Sequence, residues 1–151
     1  MPFKRLVTAL FLLPSLVLAD ELVISDSVIH ETTRTARSGA GYFTITNTGD
    51  VADQLIGISA DFPRVMMHQS EVNDGVATMT RVEVLAIPAG GTVDFAPGGF
   101  HIMFMGLNEP FVAGDRVPVT FSFDRAGEVT VEFEVISPDV EGHDHSQMDH
   151  S

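Results

Sequence analysis

Turn-forming residues interrupt this chain at short, nearly regular intervals, and this spacing constrains the fold more than any other feature. Glycine, proline, asparagine and aspartate cluster at 47–50, 73–75, 88–91, 97–99 and 124–127. Between these clusters, β-branched and aromatic residues alternate with polar ones, as in half-buried strands. No segment after the N-terminal leader has a convincing helical period. The pattern predicts an all-β Greek-key sandwich of about eight or nine strands.

The predicted strands follow from the alternation and from the turns that bound it. The small and polar residues 34–41 are predicted to form a loop, because they carry no apolar alternation. The strands are expected at residues 21–32, 42–46, 54–59, 65–72, 76–84, 92–95, 100–107, 117–123 and 128–136.

Composition divides the chain into three parts. Residues 1–19 are typical of a secretory signal: Lys4 and Arg5 precede a short apolar run, and small residues end at Ala19. The run is shorter than the roughly 17 residues that a spanning helix needs, so we expect cleavage, export to a bacterial periplasm and no stable membrane insertion. A folded domain is predicted for 20–137. Residues 138–151 are predicted to be a disordered, acidic tail bearing His and Met.

Cysteine usage and charge exclude several classes of protein. The chain has no cysteine, which excludes disulfides, thiolate zinc sites, Fe–S clusters and blue-copper centres. Loss of the leader would leave six basic residues, all arginine, against 21 Asp and Glu. Such a surface repels nucleic acid and attracts cations or basic protein patches.

The strand at 100–107 carries an unusual pair of faces. Phe100, Ile102 and Phe104 alternate with His101, Met103 and Met105. The aromatic and aliphatic set is expected in the core. The other set places an imidazole beside two thioethers, donors that together suit copper and favour Cu(I). The alternative is that both methionines simply fill gaps in the core.

A second pair of donors lies on the hairpin around 73–75. If residues 74 and 75 form a two-residue loop, residue 73 pairs with 76, and His68 and Met79 become diagonal neighbours on one face. A three-residue loop would shift the register by one and separate them. Two imidazoles and two thioethers lack the hard oxygen donors that Ca²⁺ and Mg²⁺ prefer, so Cu(I) fits this set best.

The order and spacing of these four residues resemble a known family. His68, Met79, His101 and Met103 follow H-x10-M-x21-H-x-M, which is similar to the signature of the periplasmic copper chaperones called PCu(A)C. The flanking stretches at 41–47, 74–76, 87–91, 97–107 and 127–129 resemble the family as well. Many members have an aromatic residue in the first strand where this chain has Val28.

The resemblance implies a cupredoxin-like β-sandwich that holds one Cu(I) with His68, Met79, His101 and Met103 near the surface. It also implies a non-catalytic metallochaperone that delivers copper to respiratory oxidase assembly, in particular to the binuclear copper site of cytochrome oxidase subunit II. A thiol-bearing copper chaperone is an implied second partner.

Four other residues of the folded part need an interpretation. Met66 and Met105 are expected on the donor-bearing faces, where they would be substitute ligands, a hydrophobic collar or ordinary packing. Met67 is predicted to point into the core, and His30 to be a surface or hydrogen-bonded residue without a metal. In the tail, the donors that could bind Cu(II), or Cu(I) through the thioether, are His143, His145, Met148 and His150.

Three rival functions remain open. Copper storage or resistance would use the same ligands. A copper oxidoreductase resembling a Cu/Zn dismutase needs more imidazoles than the three of the folded part. An immunoglobulin-like structural or adhesion domain would use these His and Met residues for packing alone.

Overall fold

The computed structural model describes residues 21–138. Within this range it contains ten strands and no α-helix, so the all-β prediction is confirmed. Within the same range, no helix has the length and apolar character needed to cross a membrane. The strands are β1 (Leu22–His30), β2 (Ser38–Asn47), β3 (Asp53–Ser59), β4 (Arg64–Asn73), β5 (Val76–Val82), β6 (Leu85–Ile87), β7 (Thr92–Phe95), β8 (Phe100–Met105), β9 (Arg116–Phe123) and β10 (Gly127–Ile136).

All ten strands join one barrel-like sheet in the order β5-β4-β8-β7-β2-β1-β10-β9-β3-β6. Most neighbours are antiparallel, and the parallel pairs are β1 with β10 and β7 with β8. The sheet curls until β3 and β4 line a common open cleft of about 370 Å³. One cluster of buried apolar side chains forms the interior, and the hairpin of β4 and β5 lies at one end of the strand order.

Phenylalanine rings fill much of that interior. The ring centroid of Phe43 on β2 lies 4.2 Å from that of Phe95, 4.8 Å from that of Phe121 and 5.8 Å from that of Phe133. Strands β2 and β9 are not neighbours in the sheet, so the contact between Phe43 and Phe121 crosses the interior. On β8, Ile102 and Phe104 are fully buried, as predicted.

Two sequence predictions about strands were wrong. The predicted loop at 34–41 is partly strand, because β2 begins at Ser38 and pairs with β8 through Gly41. Small residues are required there: a Cβ on Gly39 would lie 2.6 Å from the Phe111 ring. The predicted strand count missed β6, a strand of three residues that pairs with the start of β3.

Asp53, at the start of β3, fixes the connection between β9 and β10. Its buried carboxylate accepts hydrogen bonds from the backbone N–H groups of Gln54 (2.8 Å), Arg125 (2.8 Å) and Ala126 (3.0 Å). Backbone donors in a turn otherwise depend on water, and here one side chain satisfies two of them, at Arg125 and Ala126. The turn at 124–127 is thereby tied to a strand distant in sequence.

Candidate metal centre

The two central histidines face each other across neighbouring strands. Antiparallel pairing of β4 with β8 places His68 directly opposite His101, and Met66 directly opposite Met103. Directly opposed residues share a face of the sheet, so these four side chains lie on one surface, which we call the donor face. The two imidazole centroids are 5.7 Å apart, with the ring planes at 80°.

The hairpin between β4 and β5 brings the fourth predicted residue to the same face. Asp74 and Gly75 form the two-residue loop, with φ of 52° and 77°, as expected for a type I′ turn. Asn73 then pairs with Val76, Ser70 with Met79, and His68 with Arg81. Met79 is therefore the diagonal neighbour of His68, in the register that the two-residue loop predicts, and its side chain is 53% exposed.

His101 is held in one tautomer by the backbone of its own strand. Its side chain is 6% exposed, and Nδ1 lies 3.3 Å from the carbonyl oxygen of Gly99. A carbonyl oxygen only accepts, so Nδ1 carries the hydrogen and Nε2 retains its lone pair. That Nε2 is buried without a hydrogen-bond partner among residues 21–138. This is how metal-binding histidines are commonly oriented: one nitrogen is fixed by a hydrogen bond and the other is left to bind.

His68 presents a second buried nitrogen without a partner. In the part of the chain that the structure describes, three buried side-chain polar atoms lack a hydrogen bond: Ser27 Oγ, His68 Nδ1 and His101 Nε2. Burial lowers the pKa of His68 below its ordinary value, and the neighbouring His101 and Arg81 lower it further. A lowered pKa keeps the imidazole neutral, which is the form that binds metal.

The remaining donors on this face are thioethers. Met103 and Met105 are half-buried on the same face of β8 as His101, and Met66 is half-buried opposite Met103. Whether Met66 and Met105 are substitute ligands, a collar or packing residues stays a prediction. Across residues 21–138, no three or more His, Cys, Asp or Glu side chains are grouped as a metal site would require. The protein donors that the strand registers bring to this face are two imidazoles and the neighbouring thioethers.

Of the other predicted residues, Met67 lies in the core as expected, His30 is half-buried, and the tail donors lie outside the described range. Met67 is 4% exposed and belongs to the core. His30 lies on β1, with its ring centroid 4.8 Å from that of Tyr42. His143, His145, Met148 and His150 lie outside residues 21–138, so the tail site stays a prediction.

Two neighbours of the histidines carry roles that sequence reasoning did not assign. The Gly99 carbonyl orients His101 and also accepts the Ser70 N–H at 3.0 Å, so it links the turn before β8 to β4. Arg81 is opposite His68 on the exposed strand β5. The position of Arg81 opposite His68 follows from the hairpin register. The contacts of the Gly99 carbonyl depend on how the turn before β8 folds back, which the sequence does not indicate.

Comparison with known proteins gives a family match over nearly all described residues. The family model described as "Putative lipoprotein LpqE-like" matches residues 22–135. "Putative lipoprotein Lxx21020" of Leifsonia xyli subsp. xyli is 36% identical over 86 residues, 56% of this chain and 52% of that protein. "Uncharacterized protein RP573" of Rickettsia prowazekii is 32% identical over 118 residues, 70% of this chain and 65% of that protein. The chain thus spans about half to two thirds of the length of these curated relatives.

Solved structures with the same fold include copper-loaded proteins. The "Copper-bound PCuAC domain from PmoF2" superposes with a TM-score of 0.65 and 27% identity, over 78% of this chain and 94% of that domain. The Cu(I) form of DR1885 from Deinococcus radiodurans superposes with a TM-score of 0.61 and 28% identity, over 77% and 78% of the two chains.

Proposed function

The chain belongs to the LpqE-like family, within the PCuAC group of copper-chaperone domains, and from this premise we propose that it is an exported carrier of Cu(I). It binds one ion with His68, Met79, His101 and Met103. It then transfers the ion to an acceptor in respiratory oxidase assembly, such as the binuclear copper site of subunit II. The protein catalyses no reaction, and copper is its cargo.

One observation carries the proposal: two buried imidazole nitrogens, His68 Nδ1 and His101 Nε2, lack hydrogen bonds among the described residues while their rings are 5.7 Å apart. A buried polar atom without a partner costs about 1–3 kcal/mol, so such atoms need a reason to be retained. A shared metal ion supplies that reason, because it binds the lone pairs that no protein group occupies.

The thioethers on the same face select the ion. Imidazole with thioether favours copper, and Met favours the monovalent state. Methionine also suits an oxidising compartment, since it provides sulfur that cannot form a disulfide. Export is supported by the leader pattern at residues 1–19 and by a relative that is named a lipoprotein.

Titration with Cu(I) against a competing chelator tests the binding. We expect one equivalent to bind wild-type protein, and His101→Gln or Met103→Leu to weaken the affinity at least about tenfold, the equivalent of 1.4 kcal/mol. His30→Gln and Met67→Leu are matched controls, because each changes the same residue type at a position that is not a proposed ligand. If the wild type shows no saturable binding of Cu(I), a structural domain is favoured instead.

Transfer separates delivery from storage. Cu(I)-loaded protein is mixed with a copper-free soluble domain that carries a binuclear copper site, and the purple absorbance of that site is followed. If the protein delivers copper, the purple absorbance should appear when the loaded protein is the copper donor under oxidising conditions. If the loaded protein keeps its ion although the acceptor domain binds copper with a similar affinity, storage is supported instead.

A further inference from the structure

Strand β5 is an open edge of the sheet and carries one of the four proposed ligands. It stands first in the strand order, and within residues 21–138 only β4 pairs with it. Six of its seven residues are exposed, and Val82 is half-buried. The opposite edge of the sheet, β6, has only three residues. Natural proteins protect open edges by short strands, proline or charged side chains, and β5 has seven residues, no proline and one charged residue, Arg81.

The hairpin turn determines which backbone groups of β5 point outward. A two-residue loop makes Asn73 and Val76 a hydrogen-bonded pair, and pairs alternate along the ladder. Met79 therefore belongs to a non-hydrogen-bonded pair with Ser70, as do the β5 residues two before and two after it. The Ser70 N–H agrees with this assignment, since it points away from β5 and donates to Gly99. The N–H and C=O groups of Ala77, Met79 and Arg81 thus face away from β4.

The same residues have their side chains on the donor face. Met79 and Arg81 are opposite Ser70 and His68, so both project from the surface that carries the two imidazoles. A strand added along β5 would place alternate side chains about 4.5–5.5 Å from those of Met79 and Arg81. The backbone groups of β5 that do not pair with β4 and the most exposed proposed ligand, Met79, therefore lie side by side on this edge.

Arg81 supplies a charge for recognition at this edge. Its guanidinium Nε is 4.0 Å from a Glu83 oxygen, the outer limit of an ion pair, and the two side chains are 61% and 77% exposed. An exposed ion pair of this kind contributes little to stability, so the guanidinium can pair with another carboxylate. A fitting segment has a soft donor opposite Met79 and a carboxylate opposite Arg81, two residues away.

We propose that the open edge of β5 is the docking site for an extended, copper-accepting segment of the partner protein, which adds a strand to the sheet and places its own donor beside Met79. This inference rests on the proposed function as a Cu(I) carrier. In the exchange, the bond from Cu(I) to the Met79 sulfur breaks as a bond to the incoming donor forms. When the incoming donor is a methionine, a thioether replaces a thioether, so neither the charge nor the oxidation state of copper changes.

A synthetic peptide tests docking on the copper-free, full-length chain. The probe is a capped nine-residue peptide of alternating threonine and valine, with a central methionine and an aspartate two residues before it. We expect amide NMR shifts and slowed hydrogen exchange at Ala77, Met79 and Arg81. The same peptide, N-methylated on the amides that would pair with β5, is the control and should not bind.

Two variants at one position separate backbone pairing from side-chain contact. Ala77→Pro removes an outward N–H and should lower the affinity for the peptide about tenfold. Ala77→Val retains the N–H and should leave the affinity unchanged. Equal binding by the N-methylated peptide, an unchanged affinity in Ala77→Pro, or shifts confined to another surface would overturn the proposal. So would a stable dimer of this chain that occupies β5 and excludes the peptide.

Copper-loaded protein then links docking to transfer. Cu(I) affinity should be unchanged in Ala77→Pro, and transfer to the methionine peptide should be about tenfold slower than in Ala77→Val. Equal transfer rates in the two variants would contradict the proposed route. Failure of the wild type to bind Cu(I) would instead reject the carrier function, and it would leave the copper-free docking result to be judged separately.

Discussion

At the scale of single residues, the two histidines of the donor face are prepared in different ways. His101 is buried and fixed by the Gly99 carbonyl, so its tautomer is set before any ligand arrives. His68 has no such hydrogen bond at its buried Nδ1, and burial with two neighbouring groups keeps it neutral instead. One imidazole is therefore oriented by geometry, and the other is kept unprotonated by its surroundings.

The lowered pKa of His68 predicts how stability depends on pH. Burial is the main cause, and His101 and Arg81 add to it. As pH falls below the ordinary value of 6.5, the unfolded chain binds a proton at this imidazole before the folded protein does. The contribution of His68 to the free energy of unfolding is thus constant above that pH and decreases in the acidic range just below it.

Urea unfolding of copper-free protein across that pH range measures the effect. His68→Gln should lose this part of the acid dependence, while His30→Gln should retain it. An NMR titration of the imidazole gives the pKa directly. A His68 that titrates at or above the ordinary value would contradict the prediction.

At the scale of elements, the β4–β5 hairpin places Met79 on the donor face. Its register depends on the two residues of the loop, both of which have positive φ. A slip by one residue would turn Met79 to the other side of the sheet. The geometry of a short turn thus decides whether a ligand on an otherwise exposed strand can reach the histidines.

Gly75→Ala tests this dependence on the turn. An added Cβ would meet nothing within 4 Å, so its cost comes only from the left-handed backbone at φ 77°. We expect a loss of about 1 kcal/mol, measured by hydrogen exchange in the hairpin, together with weaker Cu(I) binding. Gly75→Asn is the matched control, because asparagine tolerates this conformation better. If the two variants have equal hairpin stability, the turn does not require this backbone.

At the scale of the whole molecule, the donor face depends on a core that lies on the other side of the same strands. Ile102 and Phe104 are fully buried between the donor residues of β8. Because a packed interior fixes the strand, the side chains that alternate outward are fixed with it. Global stability and the arrangement of the donors should therefore respond together to changes in the core.

Phe43→Ala tests the contribution of the aromatic core. The ring is 1% exposed and contacts three other phenylalanine rings, so its removal should leave a cavity and cost about 3–5 kcal/mol in the free energy of unfolding. Val72→Ala, at a side chain that is 72% exposed, should change it by less than about 0.5 kcal/mol. Similar losses in the two variants by urea unfolding would contradict this account of the core.

The sequence by itself determined the strand periods, the hairpin turn and the set of soft donors. Alternation and turn chemistry depend on neighbouring residues, so the all-β class and the place of the hairpin could be predicted from the chain alone. The register that pairs His68 with Arg81 followed only if the loop had two residues, and the structure decided between the two loop lengths. The resemblance in spacing identified the family by the same local information.

Only the tertiary structure decided which remote segments meet. The glycine-rich start of β2 became a strand because β8 pairs with it and the Phe111 ring packs on Gly39. The order of strands in the sheet buries His68 Nδ1 and His101 Nε2 without hydrogen-bond partners among residues 21–138. The same order leaves β5 as an open edge. These features arise from contacts between residues far apart in the chain, and a pattern of neighbouring residues carries no signal for them.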